Sequence, residues 1–409
     1  MDRSVQVRSV PFHVAVEEVF RHLSEEGKLF DSEGVWKFDL STDELDVPEG
    51  VRLVIGRRLE RLSTDTPKIL SAAAVRGRRF ELRQVESLRS FEPEALLDAL
   101  EGAEAARLIQ GVAGEHEATY SFTHELIRQA LLGTLSLPRR RRLHLQVAEA
   151  LEHVHRGRLE TRAAEVARHL YLAGSAAEWG KTIRYLELAG DSAMATASSE
   201  AALQFFEQAL SLLEDEDGLE ETKRADLLRK RGLAQRGLGH WDEMERDLGS
   251  ALILYEQGQH REGAARICRE LAYHLTWTSR AEEAQEVAER GLRYLGDVDS
   301  GSRCRLLSAA GLAHSIAGET GPSVRLGEEA AALARKLNEP RLLAEVLRDY
   351  MLIDFQRLYA IGIVEEGERA VNLQRSINAR WELSNSLGVL MIGYMLRGEL
   401  ESAERIARE

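Results

Sequence analysis

The sequence predicts a mainly α protein in two parts: a small helical domain carrying one β-hairpin, then a superhelix of stacked helix pairs. Three observations lead there. Only 7 prolines and 6% aromatic residues favour long helices over a turn-rich β fold. Small residues recur with a period near 40 residues through the second half, the mark of a repeat architecture. One stretch of the first half, LIQGVAGEHEATYSFTH, sets Leu108, Ile109 and Val112 against Tyr120 and Phe122 across a polar, glycine-containing turn, which reads as a hairpin.

Composition narrows the function classes. With 44% hydrophobic and 30% charged residues the chain can bury real cores. No run of about 18 apolar residues is present, and MDRSVQVRSVPFHV lacks the apolar core of a secretory signal, so a cytoplasmic chain is expected. Cys268 and Cys304 lie far apart on predicted helices and are expected as small core fillers. The formal charge of −14 disfavours non-specific binding of polyanions by the chain as a whole.

In the first half, VRLVIGRRLERL places Val51, Val54, Ile55, Leu59 and Leu62 on one helical stripe. A second helix starts at Pro67 and breaks at Gly77. ELRQVESL and EPEALLDALEGAEAARLI add two more, the latter with Pro93 in its first turn. The hairpin follows, and helices before a hairpin make a winged-helix domain over residues 46–137. A helix over 124–135 comes next, then one after Pro138 with the stripe Leu143, Val147, Ala148, Leu151 and Val154, opening a helical linker over 138–179.

From residue 180 to 409 one unit recurs: a helix with a small residue near its middle, a short turn, and a second helix with small residues three and four apart. The units carry Gly190, Ala202 and Phe206; Gly232, Trp241, Met244 and Leu248; Ala272, Ala284 and Ala288; Gly311, Ser323 and Gly327. Their last small positions, Ala209, Ala251, Gly291, Ala330 and Ala370, are spaced 42, 40, 39 and 40 residues apart. Small residues there let neighbouring helices lie close, and pairs that cannot bury their apolar faces alone stack. The turn positions are Gly239, Gly318 and Gly398, with Ser279 and Leu358 replacing glycine in two units. A sixth unit, with Ala403 in its second helix, is incomplete. The array resembles tetratricopeptide repeats of a lengthened kind.

Three blocks of the first half, VPEGVRLVIGRRLERLS, ILSAAAVRGRRFEL and YSFTHELIRQALLGTLSLPRRRRLHLQVAEALE, resemble consecutive parts of the STAND signal-transduction ATPases, found in LuxR-type regulators and in bacterial adenylate/guanylate cyclase proteins. That family orders its modules as nucleotide-binding core, helical domain, winged helix and tetratricopeptide sensor. The resemblance makes residues 1–45 the remnant of a helical lid, matched at Pro11, Phe12, Glu17 and Glu18; Ser9, Val10 and His13 depart from the family's Gly-Asn-Pro-Phe-Phe stretch. It also implies that His124 occupies the place of a histidine that reaches the bound nucleotide in intact relatives, where ATP or ADP is the cofactor. No Gly-x-x-x-x-Gly-Lys-Ser/Thr loop and no apolar strand ending in acids occurs here, so this chain by itself is expected to hold no nucleotide and no other cofactor.

The residues themselves give His124 a plainer reading, as a cap or packing group at the first turn of its helix, beside Glu125. Arg139, Arg140, Arg141 and Arg142 stand in the first turn of the next helix, where cations are unfavourable. A solvated face paired with nearby carboxylates is the expected arrangement; an inter-domain patch toward a nucleotide-binding core, or nucleic acid, are the alternatives. Direct DNA binding through a winged helix is not expected, because the candidate recognition helix carries Glu92, Glu94, Asp98, Glu101 and Glu104. His144, His153 and His155 lack the companions of a metal site, and the acidic run EDEDGLEE at 214–221 reads as a solvated link.

Arg231, Gln235 and His274 are the candidate partner-binding residues, placed on first helices away from the packing seam. The expected function is a non-catalytic regulatory or sensor arm of a signal-transduction ATPase, linked to transcriptional or cyclic-nucleotide signalling. Its partner would be a protein, peptide or small inducer on the repeat face, with a nucleotide-binding core in cis or in trans and no membrane. The alternative is one part of an active ATP-binding regulator or cyclase whose P-loop core lies on a missing N-terminal portion or a separate chain.

Overall fold

The computed structural model describes residues 49–88, 91–113, 117–155, 159–214 and 221–409. The expected lid remnant over 1–45 and most of the acidic link at 214–221 lie outside the described residues. The chain divides into two compact units, residues 1–192 and 193–409.

In the first unit, α1 (Glu49–Leu59), α2 (Thr66–Arg76), α3 (Leu82–Glu86) and α4 (Pro93–Ala105) precede the hairpin of β2 (Ile109–Gly111) and β3 (Thr119–Phe122); α5 (Glu125–Gly133), α6 (Leu137–Val154), α7 (Ala163–Ala173) and α8 (Trp179–Ala195) follow. The centre is α2, packed against α4, α5 and α6. Its run Ala72, Ala73, Ala74 is buried, because three side chains of one carbon let three helices approach the same backbone. The hairpin is present, but it is part of a larger sheet. A third strand, β1 (Arg79–Glu81), pairs antiparallel with β3, with Phe80 opposite Tyr120, giving the order β1-β3-β2. Phe80 supplies the reason: it is buried against the Tyr120 and Phe122 rings, 5.9 and 5.7 Å away centre to centre.

Between α6 and α7 the core contains a polar pair. The Nδ1 atoms of His144 and His169 are 3.0 Å apart, so one ring donates and the other accepts. Nε2 of His144 is buried with no partner. An orphaned acceptor costs less here than an orphaned N–H, which favours the tautomer in which His144 donates through Nδ1. Burial, with Arg140 and Arg168 nearby, lowers His144 to about 4; burial, then His144, Arg76 and Arg168, lowers His169 to about 3.

The second unit is built from α9 (Ser199–Glu214) and five helix pairs. The first helices are α10 (Glu221–Leu238), α12 (Arg261–Trp277), α14 (Gly301–Ile316), α16 (Pro340–Gln356) and α18 (Arg380–Leu396). Their partners are α11 (Trp241–Gln257), α13 (Ala281–Leu295), α15 (Thr320–Leu337), α17 (Ala360–Ser376) and α19 (Leu400–Ala407). The predicted column of small residues is buried throughout, from Ala209 to Ala370. At Gly291 the fit is tight: an added Cβ would stand 2.8 Å from the Cys268 Cβ and 2.8 Å from Leu306. Cys268 and Cys304 are buried thiols in this seam, both pushed up to about 12 by burial.

The five turns inside the pairs share one geometry. Gly239, Ser279, Gly318, Leu358 and Gly398 all have positive φ, between 55° and 81°. In each, the next residue's N–H reaches back five residues, from 240 to 235, 280 to 275, 319 to 314, 359 to 354 and 399 to 394, at 2.9–3.0 Å. This is the Schellman ending of a helix, which glycine adopts without strain. Loss of glycine at Ser279 and Leu358 therefore leaves the turn intact.

First helices of successive pairs lie against each other, α12 on α14, α14 on α16 and α16 on α18, while second helices meet the next pair mainly through its first helix. A layer dense on one side and sparse on the other curls toward the dense side, so the first helices form the inner face.

Three outcomes are expected. Replacing Leu358, which is 67% exposed, by glycine removes a left-handed penalty of about 1–2 kcal/mol and adds a backbone-entropy cost of about 0.5–1; the net gain is about 0.5–1 kcal/mol, read as a higher urea midpoint. Gly291→Val overpacks the seam and costs about 1–3 kcal/mol by the same measurement. The two histidines have folded-state pKa values below the unfolded value of about 6.5, so their contribution is fully present above that pH. It is lost as pH falls through about 4 and about 3. The His144→Gln/His169→Gln double variant should show a shallower loss of stability between pH 7 and pH 5 than the parent chain.

Candidate functional site

The inner face of the second unit is lined by charged side chains that bridge one first helix to the next. Arg236 on α10 donates to Glu270 on α12 at 3.0 Å. Arg269, beside it, donates to the other Glu270 oxygen at 3.0 Å and lies over the Tyr273 ring at 5.6 Å. Tyr273 meets the edge of Trp277, which is 48% exposed. On α14, Arg305 grips Glu345 of α16 at 2.7 and 3.3 Å, and Ser308 donates to Asp349 at 2.8 Å. The second Asp349 oxygen accepts from Arg348 Nε at 3.0 Å.

Arg348 is the centre of this arrangement. It is buried, which disfavours its charge, yet Asp349, with Tyr273 of α12 and Glu382 of α18 close enough to act on it, holds the guanidinium above its ordinary pKa. Groups from three first helices thus converge on one cation. Such pairs cost desolvation and return it only with good geometry, so they fix arrangement more than they add stability. The exposed edge is what a guest would meet: aromatic surface at Trp277 and charges of both signs already held in place. Interactions of that kind, on rigid helices, are the usual anchors of protein recognition.

Arg231, Gln235 and His274, the residues expected at a partner-binding groove, are half-buried or buried in the helix packing. Arg231 makes a bidentate pair with Asp247 of α11 at 2.7 Å through each nitrogen, inside its own helix pair. Gln235 is buried, and its Oε1 has no hydrogen-bond partner. His274 is buried too; its Nε2 bonds Glu245 of α11 at 3.0 Å and its ring stacks on Trp241 at 5.3 Å. Their difference from the bridging residues has a simple cause. One residue along a helix rotates the side chain by roughly 100°, so His274 and Tyr273 face different neighbours. The residues missed, from Arg236 to Asp349, carried a signal in the sequence: opposite charges about one repeat apart, as Arg305 and Glu345 are, 40 positions from each other.

In the first unit His124 is the N-cap of α5, its Nδ1 accepting from the Leu126 N–H at 3.2 Å. Arg139 and Arg140 stand in the first turn of α6 and Arg141 and Arg142 in its second, and the expected carboxylate partners are not found among the described residues. Arg141 donates to Ser175 at 3.3 Å and packs on Gly174, and among the described residues no carboxylate pairs with Arg139, Arg140 or Arg142. The helix turn distributes them in different directions, which the run of identical letters conceals. Among the described residues no group of histidines, cysteines and acids is placed to hold a metal, and no helix is long and apolar enough to cross a membrane.

No protein-family profile matches the chain, and no curated protein matches it. Solved structures with a similar arrangement of helices include a STAND protein with a tetratricopeptide repeat sensor from Pyrococcus horikoshii, at 16% identity and TM-score 0.43, covering 95% of this chain. This chain spans 62% of that protein's length. Others are the quorum sensor NprR from B. thuringiensis, at 12% identity, 97% and 96% coverage and TM-score 0.46, and aspartyl phosphate phosphatase F from Bacillus subtilis, at 11%, 91% and 94%, and 0.47. A shared fold at such distance says nothing of a shared ligand. The chain is a tetratricopeptide-like helical-repeat protein.

Proposed function

We propose that this chain is a non-catalytic docking scaffold, the regulatory or sensor arm of a signalling protein of the STAND kind, and that it holds an extended protein or peptide segment along the inner face of α10 to α18. One observation carries the reading: the ladder from Arg236 through Arg348 to Glu382 presents ordered charges next to the exposed Trp277 on a rigid layer of helices. Charges held in advance lose little entropy when a guest binds. The winged-helix character of the first unit, and a nucleotide-binding core as its neighbour in cis or in trans, belong to the same proposal.

The test is selection of peptides from a displayed random library against the intact chain, followed by affinity measurement on the Trp277→Ala variant. Trp277 is half exposed, so folding should be preserved, while selected peptides should bind about fivefold to thirtyfold more weakly. Equal affinity for parent and variant across the selected peptides would remove the inner face as the docking site.

A further inference from the structure

The first unit contains a cavity of about 760 Å³ between the starts of α2 and α6. Lys68 of α2 and Arg139 and Arg142 of α6 line it, with the Thr134 and Ser136 hydroxyls and the Phe91 ring. Among the described residues no acidic one lines it, in a chain whose formal charge is −14. We propose that this cavity binds a small phosphate-bearing molecule, with the phosphate held by Arg139, Arg142 and Lys68 and the remainder against Phe91 and Leu143.

The charges point the same way. Arg139 and Arg142 are three residues apart, hence neighbours on one face of α6, and both are exposed. Neither has a carboxylate partner among the described residues, and Arg139 stands in the first turn of α6, where the helix dipole repels a cation. An anion between them would offset both effects. Lys68 pairs with Asp65 at 2.8 Å, but each side chain is about half exposed, and a surface pair of that sort is weak enough to give way. Ser136 precedes α6 without capping it, which leaves its hydroxyl available to the cavity.

Size and charge together choose the ligand. A lone ion would leave most of this volume empty, whereas pockets for drug-sized molecules measure roughly 300–1,000 Å³. The apolar walls at Phe91, Leu143, Pro67 and Pro138 suit an organic body beside the anionic head. An extended nucleic acid would meet the negative field of the whole chain; a small dianion meets chiefly the local one. Arginine's planar fork matches phosphate oxygens two at a time, and a pair of arginines neutralises the charge of a dianion.

The experiment titrates the intact chain by calorimetry, at low ionic strength, with inorganic phosphate, phenyl phosphate and a short duplex DNA. Saturable binding of phenyl phosphate is expected, tighter than that of inorganic phosphate. The Arg139→Gln/Arg142→Gln variant should weaken it by about tenfold or more, and Arg141→Gln, which alters an arginine directed at Ser175, should not. Circular dichroism confirms that each variant is folded. No saturable binding of either phosphate at millimolar concentration overturns the proposal, as does equal binding by the double variant. Tighter binding of duplex DNA through the same two arginines overturns the small-molecule assignment. None of these outcomes bears on the peptide-docking reading of the second unit.

Discussion

Close approach between helices governs the second unit. A helix pair offers apolar surface on both sides and cannot cover it alone, so each pair must lie against the next. The distance at which it can do so is set where Ala209, Ala251, Gly291, Ala330 and Ala370 meet their neighbours. Those contacts are side chains of one carbon or none, and Gly291 has no room for a Cβ. The larger residues, Leu228, Leu252 and Leu307 among them, are buried around this column. Turns, bridges and inner face all inherit their spacing from it.

That dependence explains which parts could be read from the letters. The column was legible because small residues on a fixed beat serve close helix packing and little else, and the turns were legible even at Ser279 and Leu358, where the beat outlasts the glycine. The inner face was not legible to the same resolution. A repeat period locates a column to within a residue or so, whereas a single position separates the buried His274 from Tyr273 on the bridge side. Strand β1 was hidden for a different reason: three residues, RFE, show no periodicity, and only the pairing of Phe80 with Tyr120 makes them a strand. His169 lies 25 residues from His144, and nothing in either neighbourhood announces the other.

Polar groups are buried in both units, by different means. In the first, two neutral imidazoles satisfy one another, and the cost of charging either is what keeps them neutral. In the second, full charges are retained and met by opposite ones, from an adjacent helix at Glu270 and Glu345 and from the same helix at Arg348. The first arrangement favours a fixed core. The second leaves formal charge near the surface, at the expense of hydration.

The uneven density of the two helix layers has a mechanical consequence. A sheet of rods clamped along one side and loosely tethered along the other flexes far more readily than it elongates. A change of spacing at one joint adds in series to changes at the others. Small displacements thus accumulate into a change of pitch at the far end, with every helix still intact. Such a body bends more readily than it stretches.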